Sequence, residues 1–246
     1  MAVEKKPRGS YSAGLATRES ILVAAMTLIS RSGYHGFSLR DVGRLVGISH
    51  PAVIYHYPSK EALLLAVVQR YEESFGLVST RIDDASGALV EDGIVPADIA
   101  EMALAMMKVA KRADARTIMD LDCILAVEAA SPEHPAHDHF QYRFQVLHEF
   151  LEEQVTRLAE DGKIPGELTP AAASCALIRN WYGIAVHSRY VTNEDSERHT
   201  IAGFLADCGR TLAFPPETIL GFAAGIPEDL ADIFARTLKI YRSVLA

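Results

Sequence analysis

Between Ser38 and Pro58 the sequence leaves room for only two very short helices, and that brevity constrains the chain more than any other feature. Ser38 with Asp41 three residues later makes a capping box in which Asp stands for the usual Glu. Leu39, Val42, Leu45 and Val46 give the first helix its apolar face, and Gly47 breaks it. Gly47-Ile48-Ser49 leaves space for a tight turn and nothing more. Ser49 caps the second helix, Pro51 sits in its first turn where a missing N–H costs little, and Pro58 stops it. Two short helices about a tight turn form a helix-turn-helix, whose second helix enters the DNA major groove while the first crosses the backbone. An ordinary helical hairpin has the same outline. The chemistry of the second helix separates the two readings: His50 and Ala52 at its start and Tyr55, His56, Tyr57 and then Lys60 at its end are not the apolar anchors a hairpin needs.

The flanking pattern agrees. Ile21, Leu22, Ala24, Ala25, Leu28 and Ile29 recur with the helical period from Thr17 to Arg31, and Gly33 ends that run. Ser59 caps a longer helix through Leu63, Leu64, Val67, Val68, Tyr71 and Phe75. Lys60, in its first turn, opposes the helix dipole by about 0.3–1 kcal/mol, which makes sense if a phosphate completes the site. Charge is divided unevenly. The net charge is −8, yet residues 1–60 hold eight Lys and Arg against three acids. A basic head on an acidic body is the asymmetry expected when one end meets phosphate, although a solvated basic face has the same composition.

Beyond residue 75 the chain reads as helix throughout, over about 97–113, 116–130, 136–161, 170–191, 196–213 and 228–245. The stretch from Asp83 to Pro96 is a connection and Phe214 to Pro227 a break. No run alternates strongly enough to predict a strand. An apolar fraction of 49% supports a large core. No uninterrupted apolar run approaches the roughly 18 residues of a membrane span, and the charged start does not read as a signal peptide. Cys123, Cys175 and Cys208 are odd in number and widely spaced, which suggests neither a disulfide framework nor a zinc pattern and fits a reducing cytoplasm.

From Arg18 to about Tyr71 the chain resembles the TetR family of one-component regulators. The resemblance lies in Gly33, Phe37-Ser38-Leu39, Gly47-Ile48-Ser49 and the run from Tyr55-His56-Tyr57-Pro58-Ser59-Lys60 to Leu63. Ile54 stands where the family usually has a phosphate-touching Tyr, and Tyr57 where it has Phe. The resemblance implies an all-α protein: a flexible basic arm (1–13, with Lys5, Lys6 and Arg8), a helix-turn-helix domain (14–74), a ligand-binding and dimerisation domain (75–214) and a helical extension (215–246) that adds to the dimer interface. His50, Pro51 and Ala52 would face base edges. Ser38, Arg40, Ser49, Tyr55, His56 and Lys60 would hold double-stranded DNA by its phosphates. The partners implied are DNA, a second copy of the chain, and a small apolar effector, with or without a carboxylate, that releases DNA. The cofactor expectation is none, and no membrane is implied.

The body is less telling. Met102, Met106, Met107, Met119, Phe140, Phe144, Trp181 and Tyr182 are candidates for an effector pocket and equally for ordinary core. Leu177, Ile178, Trp181, Ile184 and Ala185 share a helical face that suits a two-fold seam, helices 170–191 and 196–213 pairing with their symmetry mates. His134, His137 and His139, beside Glu133 and Asp138, suit zinc or nickel as residue types, but a loop-to-helix junction after Ser131-Pro132 is a usual place for solvated polar residues, and no metal site is expected. Paired Glu-x-x-His, Gly-x-Ser-x-Gly and phosphate-loop motifs are absent, which argues against an enzyme. Arg40, Arg44 and Lys60 argue against a module that has lost DNA binding.

Overall fold

The structure is a computed structural model describing residues 8–77, 81–82, 89–90, 95–165, 168–191 and 196–243. Helix α1 (Arg8–Ser32) begins nine residues before the periodic run from Thr17, so Arg8 belongs to a helix; Lys5 and Lys6 lie outside the described residues. Over Ala13–Ser32 this helix is long and apolar enough to cross a membrane by length and composition. Its apolar face, however, is spent on the head: Ile21, Ala25 and Ile29 are fully buried there.

α2 (Leu39–Val46), α3 (His50–His56) and α4 (Lys60–Phe75) follow as the caps dictate. The Ser38–Asp41 box is formed in both directions. Gly47 adopts φ 78°, a left-handed conformation that favours glycine and turns the chain in three residues. Gly43 serves differently: a Cβ there would stand 2.9 Å from the Ile48 carbonyl, so α3 can close on α2 only over a bare backbone.

The body comprises α5 (Ile99–Lys111), α6 (Ala115–Glu128), α7 (His137–Glu160), α8 (Pro170–His187), α9 (Ser196–Thr211), α10 (Pro216–Gly221) and α11 (Ala231–Ser243). The connection after α4 carries a minimal antiparallel ladder, β1 (Arg81–Ile82) with β2 (Leu89–Val90), too short to leave an alternating pattern in sequence. The break expected from Phe214 to Pro227 contains α10 and one 3₁₀ turn, and a second turn follows it at Glu228–Leu230, because Pro216 and Pro227 start short helical pieces instead of ending one. α9 is enclosed by α8, α5 and α11 of its own chain. Head and body meet twice: α4 runs into the body, and the end of α6 packs on the end of α1.

Candidate nucleic-acid interface and body cavity

α3 is anchored to the head through one fully buried side chain, Val53. Everything else on it is left outward or half-buried. Pro51 is exposed, Tyr55 is 86% exposed and Ile54 40%, while His50, Ala52 and His56 are partly covered. Tyr57 turns inward at 3% exposure, with the Arg18 guanidinium 4.8 Å from its ring centre. Arg40 and Arg44 stand exposed on α2, Arg44 paired with Asp41 at 2.8 Å. The turn thus presents imidazole, phenol and guanidinium from two rigid, capped helices.

Three candidate residues receive more specific roles. Ser38 donates its hydroxyl proton to Asp41 Oδ2 at 2.6 Å and accepts from the Asp41 N–H, so in the free chain its hydroxyl serves the capping box. Ser49 only accepts, from Ala52 N–H, and keeps a proton to give. The Lys60 ammonium lies 4.3 Å from the ring centre of Tyr34 and 4.7 Å from that of Phe37. Burial lowers its pKa while Glu61 and Glu128 act against that lowering. This cation rests against aromatic faces, which offset the unfavourable helix dipole at its position.

The three histidines of the 134–139 stretch go to separate partners. His134 Nδ1 accepts from Ala136 N–H at 3.2 Å, His137 Nδ1 lies 2.8 Å from the Ala129 carbonyl, and His139 Nε2 is 2.9 Å from Glu72 Oε1. No group of metal-ligating side chains occurs among the described residues.

The body holds a cavity of about 100 Å³. Met102, Met106, Trp181 and Tyr182 line it as expected; Met119, Phe140 and Phe144 do not, Met119 and Phe140 being core and Phe144 packing on Tyr182. Leu177, Ile178 and Trp181, expected on a two-fold seam, also line this cavity, and Ala185 is fully buried within the chain. Sequence reasoning missed the polar wall. Arg143 on α7 stands 2.8 Å from Asp122 on α6 and 3.1 Å from Glu72 on α4. Trp181 Nε1 donates to Asp122 at 2.7 Å, and Arg143 donates to the Tyr182 hydroxyl at 3.3 Å. Glu72, Asp122 and Arg143 are almost wholly buried, and four helices contribute to the network. Polar residues within apolar helices were the available signal, but the sequence does not reveal that they meet.

Comparison with known proteins bears on the head. Residues 21–67 match the family model for bacterial regulatory proteins of the tetR family. Over this stretch the chain carries a DNA-binding domain similar to that of the tetR family. The regulator RutR of Escherichia coli is 40% identical over 55 residues, 22% of this chain and 26% of RutR. The transcriptional activator FasR of Mycolicibacterium smegmatis is 32% identical over 76 residues, 29% of this chain and 35% of FasR. The match thus spans about a quarter to a third of these relatives' length. In fold the likeness extends to the TetR body. TylP of Streptomyces fradiae superposes with a TM-score of 0.56 at 16% identity, covering 98% of this chain and 100% of TylP. SmeT in complex with triclosan gives 0.56 at 20%, covering 80% and 90%.

Proposed function

We propose that this chain is a DNA-binding transcriptional regulator of the TetR family, a repressor that grips a pseudo-palindromic operator as a homodimer and lets go when a small molecule enters the body cavity. The observation that carries the reading is α3, a short helix locked to the head by Val53 and two caps while its other side chains face outward. A single such helix reads too few base pairs for specific binding, so two copies on two half-sites are required. A DNA partner places its action in the bacterial cytoplasm. His50, Pro51 and Ala52 face base edges; Arg40, Ser49, Tyr55 and His56 serve the phosphates.

The switch follows from the buried network. Glu72 lies on α4, which begins at the head with Lys60, and shares Arg143 with Asp122 on the cavity wall. A ligand that displaces Arg143 or Tyr182 changes what holds α4, and with it the spacing of two heads in a dimer. One solved protein of this fold, AibR, is described in complex with isovaleryl coenzyme A and operator DNA, at 19% identity and a TM-score of 0.54. Selection of duplexes from a random pool by the full chain tests the reading. An enriched inverted repeat is expected; recovery of no preferred sequence refutes it.

A further inference from the structure

Residues 215–246 play no part in the reading so far. α11 packs along α9, and residues of α10, the first 3₁₀ turn and α11 join α5 and α9 in walling a second cavity of about 300 Å³, larger than the first. Phe214, Phe222 and Phe234 are among its walls, and no charged side chain lines it. Thr237, its one hydroxyl, donates to the Ile233 carbonyl at 3.0 Å. The two cavities share Ile99, Ala103, Leu205 and Cys208, so they adjoin along α5 and α9 with only these side chains at their common boundary.

The charged side chains among the residues lining the two cavities, Asp122 and Arg143, line the first and not the second. There Arg143 is already divided between Asp122 and Glu72. An incoming carboxylate would bring a further anion beside Asp122 in a dry site, with no guanidinium left to meet it. Tyr182 offers something else. Its hydroxyl accepts from Arg143 and has a proton still to donate. Burial, the largest influence, raises its pKa, so the phenol remains a donor. A buried donor is matched by a neutral acceptor, and a carbonyl oxygen is the simplest one.

We infer that the two cavities form one site for a straight-chain molecule whose neutral carbonyl head meets Tyr182 and whose alkyl tail passes Ala103 into the chamber built by the C-terminal extension. The inference rests on the effector role of the body and names the ligand class for it. Extension and specificity are thereby linked: residues 215–246 set how long a tail is accepted.

The test uses the full chain and methyl esters of straight-chain acids from butanoate to dodecanoate, followed by the fluorescence of Trp181. This is the one tryptophan in the sequence, and it lines the first cavity. Affinity should rise about fourfold per methylene until the second chamber is full, then level off. Ala103→Leu, which adds bulk at the boundary the two cavities share, should leave the shortest esters unchanged and abolish the gain for long ones. Leu104→Ala, which enlarges only the second chamber, should move the plateau to longer chains and serves if the first variant does not fold. The matching free acids at pH 7 should bind more weakly than the esters. The proposal is overturned if the length dependence is the same in all three proteins, if the acids bind more tightly, or if no ester alters Trp181 in a protein that still selects its operator. The fluorescence readout needs no DNA, so its failure is distinct from failure of the DNA-binding reading.

Discussion

Lys60 and Ser38 each have a partner within the chain at a position where the sequence suggests a phosphate. The lysine's ammonium is held by Tyr34 and Phe37. Lys60→Met should therefore lower the thermal midpoint of unfolding, with about 0.5–2 kcal/mol lost, and leave the slope of log affinity against log salt unchanged. A slope reduced by about two in the dimer would return Lys60 to the phosphates. Arg40→Ala should show the opposite pattern: full stability and a shallower slope, for operator and random DNA alike. His134 supplies a pH dependence. Its ring stands 5.0 Å from that of Tyr34 and 6.1 Å from that of His35, its Nε2 is buried without a hydrogen-bond partner, and burial depresses its pKa. Glu128 opposes that depression while His35 and His137 add to it. A group with a depressed folded pKa contributes stability above its unfolded value, and loses it as pH falls toward the folded one. Stability should accordingly decline as pH drops below about 6.5, and His134→Gln should flatten that decline in urea titrations taken from pH 7.5 to 5.

Among the elements, α6 and α4 are the ones that join the halves. The Glu128 carboxylate, at the end of α6, accepts the Tyr34 N–H at 2.8 Å just past the end of α1. Gly33 permits this approach: a Cβ would lie 2.0 Å from the carboxylate, and the residue has φ 69°. The network on α4 is the stronger coupling. Arg143→Met would leave Asp122 and Glu72 buried without their guanidinium, at a cost of about 3–5 kcal/mol. Urea denaturation should register that loss, and Asp122→Asn added to it should recover part. No recovery in the double variant would show that the pair does not act as a unit.

For the whole molecule, the question is which surface is left for a partner copy. Leu177, Trp181 and Ala185 are consumed by the chain's own core and cavity, and α9 is covered by α11. The outer side of α8 remains, with Arg179 and Gly183 exposed, Val186 at 42% and, just beyond the helix, Tyr190 at 84% exposure. Val186→Glu should therefore convert dimer to monomer in sedimentation at micromolar concentration and weaken operator binding, while the melting of each chain persists. A dimer unaffected by this change would place the two-fold axis elsewhere.

The head was legible because its determinants are local. Ser38, Gly47, Ser49, Pro51 and Pro58 fix short helices through caps and breaks that act within four residues, and a family match over residues 21–67 covers the same stretch. The helix pattern of the body was also legible, since period and breakers are local signals. Its interior was not. Whether a buried face lines a cavity, a seam or a core depends on what lies opposite, and apolar side chains at helical spacing look alike in all three. Leu177 and Trp181 went to a cavity, Met119 and Phe140 to core, and Glu72, Asp122 and Arg143 became a buried wall only because α4, α6 and α7 bring them within 2.8–3.1 Å. Periodicity tells a side chain to turn inward; only the packing of distant helices decides what it meets there.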